Sequence, residues 1–186
     1  MGVFEAASEE QIERQFDVNV FGLMRVTKAV LPHMRKQESG LILNVSSVGG
    51  ILTFPLMSLY HASKFAVEGF TESLSYELAS QNIRVKLIEP GMVNTDFSTR
   101  SMEFIVDESL TSYQSYYEHT LSHIGKLADP ENSSSPEDVA SAIYDAALDT
   151  SDRLRYAIGK DAEHLTQMRY QLGDEVFLSQ FRGTFV

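Results

Sequence analysis

Two short strand-like runs, Leu41-Ile42-Leu43-Asn44-Val45 and residues 83–89, flank one long amphipathic segment and leave this chain few ways to fold. The first run is almost continuously apolar, opens after Gly40 and stops at Ser46, Ser47, Gly49 and Gly50. A strand that is apolar on both faces must be covered on both faces, which is the condition of a parallel sheet. The second run is rich in β-formers and ends at Pro90-Gly91, where the chain leaves into a loop. Between them, residues 58–80 place Ala62, Ala66, Phe70, Leu74 and Leu78 on one helical stripe, with Asn82 as a left-handed terminator. Strand, helix, strand makes one right-handed crossover unit, so the expected class is α/β.

The flanking segments agree with this class. Ser8-Glu9-Glu10-Gln11 reads as a capping box, because the serine hydroxyl accepts from the third helical amide while the glutamine reaches back. The helix it opens carries Ile12, Phe16, Val20, Leu23, Met24, Thr27 and Leu31 at helical steps, and Gly40 is its expected stop. Phe21, Val26 and Val30 lie off that stripe, which predicts a second apolar face and a second partner for it. Residues 94–132 are weakly periodic and dense in aromatics, leave room for short helical turns, and follow a strand's carboxyl end, where open α/β sheets place ligands. Ser135-Pro136-Glu137-Asp138 opens another helix, running to Asp149. Arg155-Tyr156-Ala157-Ile158 predicts a third strand, and residues 163–171 a short final helix. Residues 1–186 thus read as a single α/β domain. The 26 acidic against 15 basic residues give a net charge of −11, which disfavours nucleic acid and anionic membrane surfaces. No apolar run approaches the ~20 residues needed to span a bilayer, no secretory pattern opens the chain, and cysteine is absent. A cytoplasmic location is expected.

Tyr60 and Lys64 are four apart in the long helix and share one face. A free tyrosine, with a pKa of ~10, is a poor base at neutral pH, and a nearby ammonium stabilises its phenolate. Tyr156 and Lys160 repeat the spacing, but the strand-like run and Gly159 between them break the shared face. Ser47 lies just past the first strand, where its hydroxyl can polarise a substrate oxygen or merely form a turn. Asn19 sits in a helix on an apolar surface, where an amide needs a partner. The segment Pro90-Gly91-Met92-Val93-Asn94-Thr95 presents backbone and hydroxyl groups at the same sheet edge. His61, about 100° round the helix from Tyr60, is expected on the outer face, and His119 and His123 on a polar helix face instead of a metal site.

Asn19 in Asn-Val-Phe-Gly, Ser47 in Asn-Val-Ser-Ser, Tyr60-x-x-x-Lys64 and Pro90-Gly-x-x-x-Thr95 resemble, in order, the motifs of the short-chain dehydrogenases/reductases. The resemblance runs over essentially the whole chain. It implies an alcohol–carbonyl oxidoreductase using NAD or NADP, with Tyr60 as acid/base and Ser47 orienting the substrate. It further implies that Lys64 lowers the tyrosine's pKa and binds the nicotinamide ribose, that Asn19 holds a water in a proton relay, and that Pro90, Gly91, Val93 and Thr95 line the nicotinamide. A homodimer or homotetramer follows from the same likeness. None of the eleven glycines forms the family's Gly-x-Gly-x-x-Gly turn, so the expected fold is a partial Rossmann-like doubly wound parallel sheet lacking its amino-terminal nucleotide-binding half. The rival expectation is a catalytically silent, truncated remnant that acts as a dimerising or regulatory partner.

Overall fold

The computed structural model describes residues 1–127 and 133–185. Helix α1 (Glu9–Phe16) opens with the expected reciprocal cap: the Gln11 amide donates to Ser8 Oγ at 3.2 Å and the Ser8 amide to Gln11 Oε1 at 3.0 Å. It continues through a six-residue π segment (Asp17–Gly22) into α2 (Leu23–Lys36). A π segment widens the helix by inserting a residue, a device frequent at functional sites, and this one carries Asn19. Strand β1 (Gly40–Val45), helix α3 (Ser58–Ala79) and strand β2 (Ile83–Pro90) follow as anticipated. Then come α4 (Gln114–Leu127), α5 (Pro136–Leu148), β3 (Arg155–Ile158), α6 (Lys160–Leu172) and α7 (Asp174–Phe185).

The three strands form one parallel sheet in the order β1-β2-β3, in register from Gly40 opposite Ile83 to Val45 opposite Ile88, and from Leu87 opposite Arg155. Ile42, Val85, Leu74, Leu78 and Ile83 close one face with Leu31 and Met34 of α2. Ile88, Tyr156, Ile158 and Ala146 close the other with Val139 and Ile143 of α5. The central strand β2 is thereby buried on both faces, whereas β1, at the sheet edge, buries Ile42 and Asn44, leaves Leu41 and Leu43 half-buried and exposes Val45.

Several expectations need correction. Gly40 does not stop α2; Glu38 does, with φ of 54°, while Gly40 begins β1 where a Cβ would meet Met34 Sδ at 2.7 Å. Asn82 is left-handed as expected (φ 55°), and its side chain donates to the Glu38 carbonyl at 2.8 Å, joining the two strand entrances. In α3, Leu74 and Leu78 are buried but Ala62 is exposed, because the amino-terminal half buries His61, Ser63, Val67, Glu68 and Thr71. The 94–132 stretch contains a 14-residue helix, α4, beyond the short turns expected; residues 128–132 of that stretch lie outside the described residues. Helix α6 begins at Lys160, and α7, absent from the sequence reading, packs Phe177 and Phe181 onto Val48, Leu52 and Ala162.

Candidate active site

The carboxyl ends of β1 and β2 and the first turns of α3 meet at one place. Ser47 follows β1 in extended backbone (φ −173°), and its hydroxyl accepts from the Gly49 amide at 3.1 Å and donates to the Pro90 carbonyl at 3.4 Å. It therefore ties the two strand ends together. Tyr60 lies in the first turn of α3, its ring 6.3 Å from that of Phe97. Burial pushes the phenol's pKa up, and the Ser47 hydroxyl beside it acts in the opposite direction. Lys64 Nζ is 5.8 Å from the Tyr60 ring centre and donates to the Val45 carbonyl at 3.2 Å. Burial lowers the pKa of this ammonium, and the nearby Glu68 carboxylate opposes that effect. As the groups stand, the phenol is held neutral and the ammonium is drawn to a strand end.

Asn19 is joined to this helix through Ser63. Ser63 Oγ, completely buried, accepts from Asn19 Nδ2 at 3.1 Å and from Gln15 Nε2 at 3.2 Å, and donates to the Tyr60 carbonyl at 2.7 Å. The polar partner that Asn19 requires is thus a hydroxyl lodged between Tyr60 and Lys64. Ser63 and Gln15 were missed in the sequence, although Ser63 stands inside the Tyr-x-x-x-Lys motif itself.

Pro90 ends β2, and the Gly91 amide donates to the Ile158 carbonyl at 2.9 Å. Asp161 of α6 lies so close that a Cβ at Gly91 would meet its carboxylate at 2.2 Å, and the Met92 amide donates to Asp161 Oδ2 at 2.7 Å. Val93 bridges to Ser134, and Thr95 Oγ1 accepts from the Phe97 amide at 3.3 Å. A cavity of about 380 Å³ opens beside this group, lined by Asn19, Tyr60 and Lys64 and by Val18, Leu56, Met57, Phe97, Met102 and Ile105. Ser47, Pro90, Gly91, Val93 and Thr95 stand at the strand ends and outside that lining.

His61 reverses its expectation. It is buried, with Nε2 accepting from the Phe54 amide at 2.8 Å and Nδ1 on the Gly49 carbonyl at 2.7 Å, and burial lowers its pKa. It braces the loop after Ser47 in its neutral form. Tyr156 and Lys160 are indeed apart. The Tyr156 hydroxyl accepts from the buried Lys86 and donates to Asp149 at 2.7 Å, and Lys160 opens the next helix. The rings of His119 and His123 lie 4.3 Å apart, and no cluster of three metal-ligating side chains occurs among the described residues.

A hydroxyl, a phenol and an ammonium are thus gathered at the carboxyl ends of the parallel sheet of an α/β protein, the place where such sheets bind ligands. The chain belongs to the short chain dehydrogenase family, whose model matches residues 1–105. It is 38% identical over 180 residues to an uncharacterised oxidoreductase of Schizosaccharomyces pombe, covering 96% of this chain and 73% of that one. The crystal structure of a short-chain dehydrogenase from Streptomyces avermitilis superposes with a TM-score of 0.74 at 32% identity, covering 92% of this chain and 62% of that one. That of ElxO with NADP bound gives 0.64 at 25%, covering 85% and 60%. The chain thus spans about three fifths to three quarters of the length of these relatives. The three-stranded sheet agrees with the partial doubly wound fold expected, and no helix of the described residues is long and apolar enough to cross a membrane.

Proposed function

We propose that residues 1–186 act as one α/β unit of an NAD(P)-dependent oxidoreductase that interconverts an alcohol and a carbonyl. The observation that carries this reading is the convergence of Tyr60, Lys64 and Asn19 on one cavity with Ser47 beside the Tyr60 phenol. ElxO's bound NADP and the oxidoreductase name of the yeast relative support it. The donor set fits the nicotinamide–ribose end of such a cofactor. Lys64 Nζ has three donors and spends one on Val45, leaving two for a ribose diol. Bound there, the dinucleotide supplies the hydride. Thr95 and the backbone of Pro90, Gly91 and Val93 are assigned to its carboxamide side.

The chain's own groups handle the proton. In reduction, the neutral Tyr60 phenol donates its proton to the developing alkoxide; in oxidation it takes the proton back. Ser47 turns its single O–H from the Pro90 carbonyl to the same oxygen, and the Lys64 ammonium compensates the phenolate when it forms. Asn19, held by Ser63, stands on the far side of Tyr60 as part of the relay. The cavity wall sets Gln11, Arg14, Gln15 and Glu103 beside its apolar residues, which suits an alcohol or ketone carrying both polar and apolar parts. Phe21 and Val26, both exposed on the second face of the first helical segment, and Phe65 and Tyr76 on α3 suit a homodimer contact.

The test is Tyr60→Phe in a form of the protein that turns over. It removes one hydroxyl and leaves the ring packing, so kcat should fall by the ~10²–10⁴ typical of acid/base catalysis, with unchanged thermal stability. Turnover near that of the parent would overturn the assignment of Tyr60 as the acid/base.

A further inference from the structure

Beneath Lys64 lies a cluster of acids that the proton transfer just described does not use. Glu68 is one helical turn after Lys64, on the same face of α3, and is buried. Its Oε2 accepts from Arg155 Nε at 3.1 Å, while its Oε1 is buried without a hydrogen-bond partner. Glu89, in β2 just before Pro90, is 2% exposed; its Oε1 lies 3.3 Å from the same Arg155 nitrogen without completing a hydrogen bond. The outer side of the guanidinium is taken by Glu72. The loop that carries Ser47 rests on this cluster, since a Cβ at Gly50 would meet Glu68 Cγ at 2.8 Å and Ser46 Oγ at 2.6 Å. Three carboxyls therefore share one arginine, and the charged groups facing them are Lys64 and Glu72 on α3 and Arg153 and Arg155 at β3.

We propose that Glu68 is the counter-charge of Lys64, and that Glu89 keeps its proton at neutral pH so that one buried negative charge, and not two, lies beneath the ammonium. Two carboxylates on one guanidinium nitrogen repel each other in a medium that hydrates neither. Burial and the Glu68 charge together push the Glu89 carboxyl up to about 8, against the pull of Arg155. Burial of Lys64 in the same place disfavours its ammonium, and the Glu68 carboxylate opposes that effect. Glu68, one helical turn further along the same face of α3, supplies the compensating anion. Glu68 is thus a positioning residue that acts through Lys64, and Glu89 limits the negative charge it brings. This rests on the assignment of Lys64 to the reaction centre, but its tests need no turnover and so separate its failure from failure of that assignment.

The first test uses the unaltered chain with ¹³C-labelled glutamate carboxyls. One glutamate should titrate above pH 7, and its signal should vanish in Glu89→Gln; a chain in which every glutamate titrates below pH 6 overturns the proposal. The second is acetylation by limiting reagent, read peptide by peptide against the exposed Lys28 and Lys36 over a pH series. Glu68→Gln should raise Lys64 labelling at pH 7.5 by about tenfold and move its pH midpoint down, as expected for a pKa one unit lower. Glu89→Gln, which mimics the protonated acid, should leave both within twofold. Unchanged labelling in Glu68→Gln, or an equal rise in both variants, overturns the assignment, and the glutamate titration decides it if Glu68→Gln does not fold.

Discussion

At the scale of single residues, Tyr60 and Lys64 are half-buried at the cavity, where burial raises the phenol's pKa and lowers the ammonium's. Lys64→Met removes the charge that would stabilise the Tyr60 phenolate, so alcohol oxidation should appear only at higher pH than in the parent; a pH–rate profile checks this, and an unmoved profile argues against the pairing. His61 yields a prediction of opposite sign. Its pKa is lowered in the folded chain, so its contribution to stability is present above the ordinary histidine value of 6.5 and is lost as the pH falls below it. Thermal melts at pH 7.5 and 5.5 should therefore differ, and the difference should shrink in His61→Gln. The substitution also leaves at least one of the Gly49 carbonyl and the Phe54 amide poorly paired, at a cost of ~1–3 kcal/mol for an unsatisfied buried group.

At the scale of elements, the end of β2 is held by the start of α6. Asp161 receives the Met92 amide and occupies the space a side chain at Gly91 would need. Gly91→Ala should expel the carboxylate, free residues 92–94 and destabilise the chain by ~1–3 kcal/mol, the usual range for overpacking. Urea unfolding of the single and double variants checks this: Gly91→Ala with Asp161→Gly should cost less than the sum of the two changes, because the clash is already gone. The capped starts of α1 and α5 are independent of this joint. Ser135→Ala should cost about 1 kcal/mol through loss of the Asp138 amide bond (3.1 Å) and leave the site unmoved.

At the scale of the whole molecule, the sheet ends at β1, and a groove beside that strand is lined by Val26, Val30, Met34 and Leu43. Val18 and Phe21 are exposed beside Val26 on the same helical segment, a cluster of the kind that marks contact surfaces. Sedimentation at tens of micromolar should show self-association, and a strictly monomeric species would mean that the second helix face is not an interface. The residues proposed for a dinucleotide are all assigned to its nicotinamide half, and the sequence contains no Gly-x-Gly-x-x-Gly turn to cradle a pyrophosphate. Calorimetric titration of a monodisperse preparation with NADH or NADPH should accordingly give an affinity weaker than micromolar.

What the amino-acid order settled by itself was local. The Ser8–Gln11 and Ser135–Asp138 caps close over three residues, Asn82 turns left-handed on its own short side chain, and the apolar run after Gly40 makes β1 a strand. The motif residues Asn19, Ser47, Tyr60 and Lys64 were legible through their order and spacing. The buried polar side of α3 was not, because whether a polar side chain is buried depends on partners far along the chain. Thr71 takes its bond from Asn44, 27 residues away, and Glu68 from Arg155, 87 residues away. An apolar stripe read at helical steps therefore pointed to Ala62, whereas the folded helix buries His61 and Ser63. Glu89, a charge within the second strand, was not singled out in the sequence. Only the tertiary structure set it against Glu68 and one arginine, since opposing three acids with a single guanidinium requires three elements to meet.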